Sequence, residues 1–282
     1  MDATRQTAIV TGGASGIGFA LAQAFLARGR NVAIGDIEAP ALAAAAERLR
    51  AVPGGGEVLG VPTDVARFDS VAGLCEAARS AFGRVDVVCA NAGVETGGRF
   101  LEVADTAWRW VMEVNYFGTL NTARAALPLL EAAGAGHLVI TGSLAGFATG
   151  TPFMTPYCAS KMAIHGLAEC LEIELRAAGS GVHVHLLAPG PVRSRMIDAE
   201  RNAPADVALD EDPARRRAMA EFRARQEAEG LPAAEVAAMV LDAIDRRRFF
   251  VLPHPDRAEA ALRKRLDWLL TGSAPASRVA GT

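Results

Sequence analysis

Short apolar runs rich in β-branched residues alternate along this chain of 282 residues with longer stretches whose apolar residues recur at helical spacing. The runs predict strands at 7–11, 31–36, 57–61, 85–90, 137–141, 182–188 and 248–252. The longer stretches predict helices at 16–29, 39–50, 68–82, 106–131, 154–178 and 233–246. Strands that are apolar throughout are typical of a parallel sheet buried on both faces. We therefore expect a doubly wound α/β fold with about seven parallel strands and helices on both faces.

The alternation is interrupted at residues 191–232. This segment is polar, rich in arginine and alanine, and contains Pro204, Pro213 and Pro232. It follows the end of a strand, where ligands bind in such sheets, so we predict a lid over a substrate. A plain helical insertion at the surface is the alternative, since long insertions cost little.

Beyond the last predicted strand, the sequence AEAALRKRLDWLL predicts a further helix at 258–270. Residues 272–282 are predicted to form a flexible tail. No linker divides the chain, so we expect a single dinucleotide-binding and catalytic domain over residues 1–282.

Composition and charge argue against several classes of function. The net charge is −3, and acidic residues accompany the arginine-rich spots at 215–217, 246–248 and 263–265, so no nucleic-acid surface is expected. No run approaches the roughly 18 apolar residues of a membrane span, and the N-terminal residues lead into a strand without a signal-peptide pattern. The four cysteines form no C-x-x-C pair. Reduced thiols and a cytoplasmic location are expected.

The first predicted strand ends in the turn TGGASGIG at 11–18, and a helix follows at once. The backbone at Gly12, Gly16 and Gly18 carries no side chain, so it can lie close to a pyrophosphate, and the helix N-terminus presents unpaired N–H groups. A lone glycine pattern is weak evidence, but here it lies between a strand and a helix, as dinucleotide binding requires. The turn therefore indicates a Rossmann-type sheet.

The second predicted strand ends at Asp36, eighteen residues after Gly18. A carboxylate at this place accepts hydrogen bonds from ribose hydroxyls and repels a 2′-phosphate. Ala14, Ser15 and Ile37 offer no cation for such a phosphate. NAD rather than NADP is therefore the expected cofactor; the alternative is that Asp36 only caps the following helix.

Tyr157 and Lys161 are four residues apart in a predicted helix, so they share one face of it. A phenol has a pKa near 10, and a nearby ammonium is expected to lower it. A tyrosine tuned in this way exchanges a proton with an alcohol or a carbonyl. Ser143 follows the strand HLVIT, where its hydroxyl would hold the substrate oxygen. A chance Tyr-x-x-x-Lys in an ordinary helix is the alternative for this pair taken alone.

Together these residues resemble the short-chain dehydrogenase/reductase family over residues 7 to about 252. The shared motifs are T-G-x-x-x-G-I-G at 11–18, Asp64-Val65, Asn91-Ala92-Gly93, Asn115, Ser143, Tyr157-x-x-x-Lys161 and Pro189-Gly190. The resemblance implies an NAD-preferring oxidoreductase that assembles as a homodimer or homotetramer. The helix after the last strand departs from the short glycine-rich tail that is common in the family.

The resemblance also implies roles for individual residues. Asp64 would bind the adenine amino group beside the Val65 backbone, and Asn115 would hold a water that relays protons to Lys161. Lys161 would also bind the nicotinamide ribose, and Ser194 stands where the family often has a threonine that binds the carboxamide. The residues assigned to the cofactor are Gly12, Ser15, Gly16, Ile17, Gly18, Asp36, Ile37, Asp64, Val65, Asn91, Ala92, Gly93, Tyr157, Lys161, Pro189, Gly190, Val192 and Ser194.

The expected activity is the interconversion of a secondary alcohol and a ketone with NAD. Ser143 would orient the hydroxyl, Tyr157 would remove its proton, and Lys161 and Asn115 would assist. Mostly apolar residues at 144–154 suggest a hydrophobic or cyclic small-molecule substrate. One alternative is an NADH-linked ketoreductase of a larger carbonyl metabolite, and another is a catalytically silent NAD-binding sensor or scaffold.

Two other constellations carry less weight. His183 and His185 alternate in a strand, so both point to the same side, but no third ligand is evident and no metal site is expected. The chain lacks G-x-S-x-G, so a hydrolase built around Ser143 is not expected.

Overall fold

The predicted strands pair side by side in one parallel sheet. The computed structural model describes residues 5–209 and 212–274. The strands in these ranges are β1 (Thr7–Thr11), β2 (Asn31–Asp36), β3 (Val58–Pro62), β4 (Val87–Ala90), β5 (His137–Thr141), β6 (His183–Leu187) and β7 (Phe250–Val251). Within the described residues the sheet order is β3-β2-β1-β4-β5-β6-β7, with every pair parallel. The expected doubly wound, Rossmann-type sheet of about seven strands is confirmed.

Helices connect the strands and cover both faces of the sheet. They are α1 (Gly16–Ala27), α2 (Ala39–Arg50), α3 (Phe68–Phe82), α4 (Asp105–Met112), α5 (Gly118–Ala132), α6 (Thr155–Ala177), α7 (Pro213–Glu229), α8 (Ala233–Asp245) and α9 (Pro255–Thr271). Short 3₁₀ helices lie at Leu144–Gly146 and Met196–Asn202. The predicted helix at 106–131 is divided by a π-helical turn at Glu113–Phe117. The apolar pattern predicted one continuous helix over 106–131 and did not predict this turn.

The strands are apolar throughout because each contributes to two cores. In β1, Ala8 and Val10 pack on the side that includes Phe25 of α1, and Ile9 packs on the side that includes Ile164 of α6. All five of these residues are fully buried. Alternation along each strand thus fills both faces of the sheet.

The carboxyl edge of the sheet gathers the segments that carry the motifs. The glycine-rich turn follows β1, Asn91 follows β4, Ser143 follows β5 and Pro189 follows β6. The order of the strands reverses between β1 and β4, and a crevice forms at such a switch point. The fold therefore brings motifs that are far apart in sequence to one crevice.

Two segments lie over this crevice. The first is the 191–232 segment, in which α7 begins at an N-cap, Asp212, whose side chain accepts a hydrogen bond from the Ala214 amide at 2.9 Å. The second is α9, which ends at Gly272 with φ of +70°. Residues 275–282, which make up most of the predicted tail, lie outside the described residues. None of the helices in the described ranges combines the length and apolar character that a membrane crossing requires.

Candidate active site

The glycine-rich turn forms a tight cradle at the end of β1. Gly12 and Gly16 have φ of +65° and +54°, a conformation that favours glycine. A Cβ on Gly18 would lie 2.1 Å from the Gly12 carbonyl oxygen, so only glycine fits there. The Thr11 hydroxyl accepts hydrogen bonds from the backbone of Asn91 at 3.0 Å and joins this turn to the end of β4. The cradle is therefore fixed before any ligand binds.

Asp36 lies at the carboxyl end of β2, beside this cradle. Its Oδ2 accepts a hydrogen bond from the Ala14 amide at 3.0 Å, and its Oδ1 accepts one from the Glu38 amide at 3.1 Å. The carboxylate is held in one position at the cavity wall, where its remaining lone pairs can receive hydroxyls.

A second acidic residue, Asp64, follows β3 on the same side. Its Oδ1 accepts a hydrogen bond from the Ala66 amide at 3.0 Å. The neighbouring Val65 carbonyl accepts a hydrogen bond from the side-chain amide of Asn121 at 2.9 Å. This network fixes the loop that follows β3 at the end of the cavity where Asp36 also lies.

Asn115 occupies the π-helical turn and is fully buried. Its side chain accepts a hydrogen bond from the Val94 amide at 2.8 Å and donates to the Val94 carbonyl at 3.0 Å and to the Ser160 hydroxyl at 3.0 Å. The side-chain amide is thus committed to protein partners. Its main-chain carbonyl accepts a hydrogen bond from the Thr119 hydroxyl at 2.7 Å. The relay water that the family resemblance assigns to Asn115 stays a prediction.

Ser143, Tyr157 and Lys161 line the cavity, and each is less than a tenth exposed. The Ser143 side chain lies near enough to the Tyr157 phenol to lower its pKa, against the larger effect of burial. The Lys161 Nζ donates to the Thr141 carbonyl at 2.9 Å and lies 5.7 Å from the centroid of the Tyr157 ring. Elements α6 and β5 therefore place a hydroxyl, a phenol and an ammonium around one point.

Burial dominates the electrostatics of this trio. It raises the pKa of Tyr157 above the usual value of 10, against the opposing effect of the Ser143 side chain. Burial also lowers the pKa of Lys161 to about 8. The sequence-based expectation was that Lys161 would lower the phenol's pKa. The structure differs because each group is removed from water, which favours its neutral form, and the groups that act on the phenol besides burial are Ser143, Glu95 and Cys158.

His165 supports Ser143 from below, and the sequence analysis did not identify it. Its Nε2 lies 3.5 Å from the Ser143 backbone nitrogen, and its ring packs edge-on against Phe147 with centroids 4.5 Å apart. Burial, with a smaller contribution from the Lys161 ammonium, lowers the pKa of His165 to about 4, so the ring is neutral. A signal was available, since His165 follows Lys161 by four residues on the same helix face.

Residues of the 191–232 segment line the cavity and contact the cradle and the end of β2. The Gln226 amide of α7 donates to the Ser194 hydroxyl at 3.0 Å and to its carbonyl at 3.2 Å. Arg201 pairs with Glu38 beside Asp36 at 2.6 Å. The segment is thus attached to the domain both at Ser194 and at the end of β2.

A cavity of about 1200 Å³ joins these groups. Every residue that the sequence assigned to the site lines it, except Gly18 and Asn115. Gly18 packs against the backbone of the turn, and Asn115 lies behind the cavity wall. The structure adds a wall that the sequence did not reveal, formed by one face of α9. Its lining residues are Arg257, Ala260, Ala261, Lys264 and Trp268.

The histidines of β5 and β6 are engaged with each other and with the backbone. His185 Nε2 lies 3.0 Å from His137 Nδ1, and His185 Nδ1 lies 2.7 Å from the Arg248 carbonyl oxygen. Across residues 5–209 and 212–274, no group of three or more His, Cys, Asp or Glu side chains is arranged to hold a metal ion.

Comparison with known proteins decides the family. Residues 6–205 match the short chain dehydrogenase family. The chain belongs to this family. It is therefore an oxidoreductase of the short-chain dehydrogenase type, built on the sheet and motifs described above.

Two relatives and one solved structure illustrate the likeness. The 1-deoxy-11-beta-hydroxypentalenate dehydrogenase of Streptomyces exfoliatus is 34% identical and covers 95% of this chain and 89% of its own. The cis-4-hydroxycyclohexanecarboxylate dehydrogenase of Sinomonas cyclohexanicum is 37% identical, and the match covers 72% of this chain and 78% of that protein. The crystal structure of a short chain dehydrogenase/reductase from Burkholderia phymatum, in complex with NAD, is 34% identical with a TM-score of 0.91 and covers 98% and 99%.

Proposed function

We propose that this short-chain dehydrogenase uses NAD to interconvert a secondary alcohol and a ketone on a hydrophobic, cyclic substrate. The observation that carries the proposal is the placement of Ser143, Tyr157 and Lys161 in the same cavity as the glycine-rich cradle. A proton-exchanging trio and a phosphate-binding turn at one crevice are the two parts that such a reaction needs.

The residues of the cradle fit a dinucleotide. The helix α1 begins at the glycine-rich turn, so its N-terminal N–H groups suit a pyrophosphate. The carboxylate of Asp36, held by two backbone amides, suits the hydroxyls of an adenosine ribose and opposes a 2′-phosphate. Asp64, Asn91 and Ser194 line the same cavity. The NAD complex of the Burkholderia phymatum relative supports the choice of NAD.

The protein's own groups supply the proton chemistry. Burial keeps the Tyr157 phenol protonated in the free protein, so it can donate a proton to a carbonyl oxygen and take it back from an alcohol. Ser143 holds the same oxygen, and Lys161 places positive charge behind the phenol. When bound, the nicotinamide supplies the exchange of hydride with the carbinol carbon.

The preference for a cyclic substrate comes from the cavity and the relatives. Leu144, Ala148 and Met154 line the cavity with apolar side chains, and Trp268 of α9 lines it with an aromatic one. The names of two relatives describe ring-bearing hydroxy compounds as their substrates. A ring alcohol is therefore the first substrate class to try.

The test combines cofactor titration with an alcohol screen. NAD and NADP are titrated by fluorescence, and ring-bearing secondary alcohols are then screened for absorbance of the reduced nicotinamide. We expect tighter binding of NAD, and turnover that falls by a factor on the order of 10³ in Tyr157→Phe while NAD binding is retained. Binding of NAD without turnover of any alcohol or ketone would favour a silent NAD-binding protein instead.

Cytoplasmic location and a homodimer or homotetramer remain predictions. Leu266, Leu269 and Leu270 of α9 are more than half exposed, which supports contact with a second copy. Light scattering behind a sizing column would give the oligomeric state directly.

A further inference from the structure

A buried carboxylate in the cavity has no role in the chemistry described above. Glu95 lines the cavity that holds Ser143 and Tyr157, and it is only 8% exposed. Burial raises its pKa from the usual 4.5 to about 7, with Glu200 adding to the rise and Arg215 opposing it. Among the side-chain hydrogen bonds of the residues that the structure describes, none involves the Glu95 carboxylate, and its oxygens are not among the atoms that are enclosed without a partner, so they reach the cavity. Burying a carboxylate without a hydrogen bond costs free energy of folding.

The backbone around Glu95 is held firmly, so the side chain's position is set by the fold. On one side, the Val94 amide and carbonyl are both bonded to the Asn115 side chain. On the other side, Gly97 passes so close to Phe153 that a Cβ would lie 1.9 Å from the Phe153 carbonyl oxygen. Both attachments belong to elements that shape the catalytic trio, so Glu95 keeps a fixed relation to Tyr157.

The neighbouring ion pair does not explain the carboxylate. Arg215 of α7 is bonded to Glu200, and Thr96 donates to the same Glu200 carboxylate at 2.6 Å. Arg215 acts on Glu95 through charge at a distance and not through a hydrogen bond. Glu95 instead exerts its charge on Tyr157 and Cys158. An occupant of the cavity is therefore placed to supply the donor that Glu95 lacks.

We infer that Glu95 is a specificity-determining residue that binds a second hydroxyl of the substrate, so that the preferred substrate is a ring-bearing diol or hydroxyketone. This inference rests on the proposed function, because it assumes that the alcohol oxygen lies at Ser143 and Tyr157. A hydroxyl suits Glu95 in either protonation state, since it can donate to a carboxylate or accept from a carboxylic acid. An ammonium suits only the ionised form.

The experiment compares three ring compounds with the wild type, Glu95→Gln and Glu102→Gln. The compounds are cis-1,4-cyclohexanediol, cyclohexanol and cis-4-aminocyclohexanol, each with NAD. Glu102 is a matched control because it is an exposed glutamate seven residues further along, and its side chain is 54% exposed. We expect the wild type and Glu102→Gln to prefer the diol over cyclohexanol by about 10- to 100-fold in kcat/KM, the effect of one hydrogen bond to a charged group. In Glu95→Gln the preference should shrink to within about threefold, and because the preference is a ratio of two substrates, any change that the lost charge causes at Tyr157 cancels in it.

A second measurement does not depend on turnover. The melting temperature of each protein is recorded with NADH and either the diol or cyclohexanol. The diol should raise the melting temperature more than cyclohexanol does only in the proteins that contain Glu95, the wild type and Glu102→Gln. Equal treatment of diol and cyclohexanol by the wild type in both assays would overturn the inference, as would a gain for the amino alcohol alone. A wild type that turns over none of the alcohols but still gains more stability from the diol would count against the proposed function and not against the assignment of Glu95.

Discussion

Glu95 should make the protein less stable as the pH rises from about 4.5 to about 7. Its pKa is about 7 in the folded protein and 4.5 when unfolded, so the unfolded chain loses the proton first as pH increases. Stability contributed by the neutral acid is present below pH 4.5 and is lost by about pH 7. Each unit of pKa corresponds to about 1.4 kcal/mol, so the loss is about 3 kcal/mol.

The perturbation that isolates this effect is Glu95→Gln. Glutamine has nearly the same shape as glutamate and cannot ionise. The free energy of unfolding of the variant therefore does not decrease by this amount between pH 4.5 and pH 7. The assay is urea unfolding of both proteins at pH 4.5 and pH 8, without cofactor. From pH 4.5 to pH 8, the free energy of unfolding of Glu95→Gln should rise by about 3 kcal/mol relative to that of the wild type. The other titrating groups are common to both proteins, so their contributions cancel in this comparison. A difference between the two proteins that does not change with pH would mean that Glu95 is hydrated or bonded in the fold, and would refute the reasoning.

Three further predictions concern the cradle, the cofactor and the trio. Gly18→Ala places a Cβ 2.1 Å from the Gly12 carbonyl oxygen, so titration should show NAD binding weakened by more than about 10-fold. Gly73→Ala, with open space around its Cβ, should instead add up to about 1 kcal/mol to the free energy of unfolding. Asp36→Ala should raise the ratio of NADP to NAD affinity by about 10-fold or more, measured by parallel fluorescence titrations, because a charge that repels the 2′-phosphate is removed. His165 has a pKa of about 4 in the fold against 6.5 unfolded, so about 3 kcal/mol of stability should be lost as pH falls from 6.5 to 4, and the loss should be absent from His165→Gln in urea melts.

Local patterns were sufficient to predict most of the site. The turn at 11–18, Asp36 at a strand end and the Tyr157-x-x-x-Lys161 pair each sit on one element, and their chemistry depends on spacing along that element. Parallel strands bring their carboxyl ends to one edge, so the meeting of these motifs also followed from the predicted fold. The expected family is confirmed by the match over residues 6–205.

Electrostatics at the trio were harder to predict. The pair of Tyr157 and Lys161 was expected to lower the phenol's pKa, because two groups at helical spacing attract each other. The structure buries both, and loss of water acts on each group separately. Burial depends on what β5, the π-helical turn and the 3₁₀ helix at Leu144–Gly146 place around the pair, and no local pattern carries that information.

By itself, the sequence determined the parallel sheet and predicted the residues of the proposed dinucleotide cradle and the proposed proton-exchanging trio, because each depends on periodicity or spacing within a short segment. Only the tertiary structure decided that Glu95 is buried without a hydrogen bond, that His165 backs Ser143, and that α9 forms a wall of the cavity. These features arise where segments distant in sequence come into contact. Their energies depend on the water that the contacts remove and on the partners that they supply, which a one-dimensional pattern does not specify.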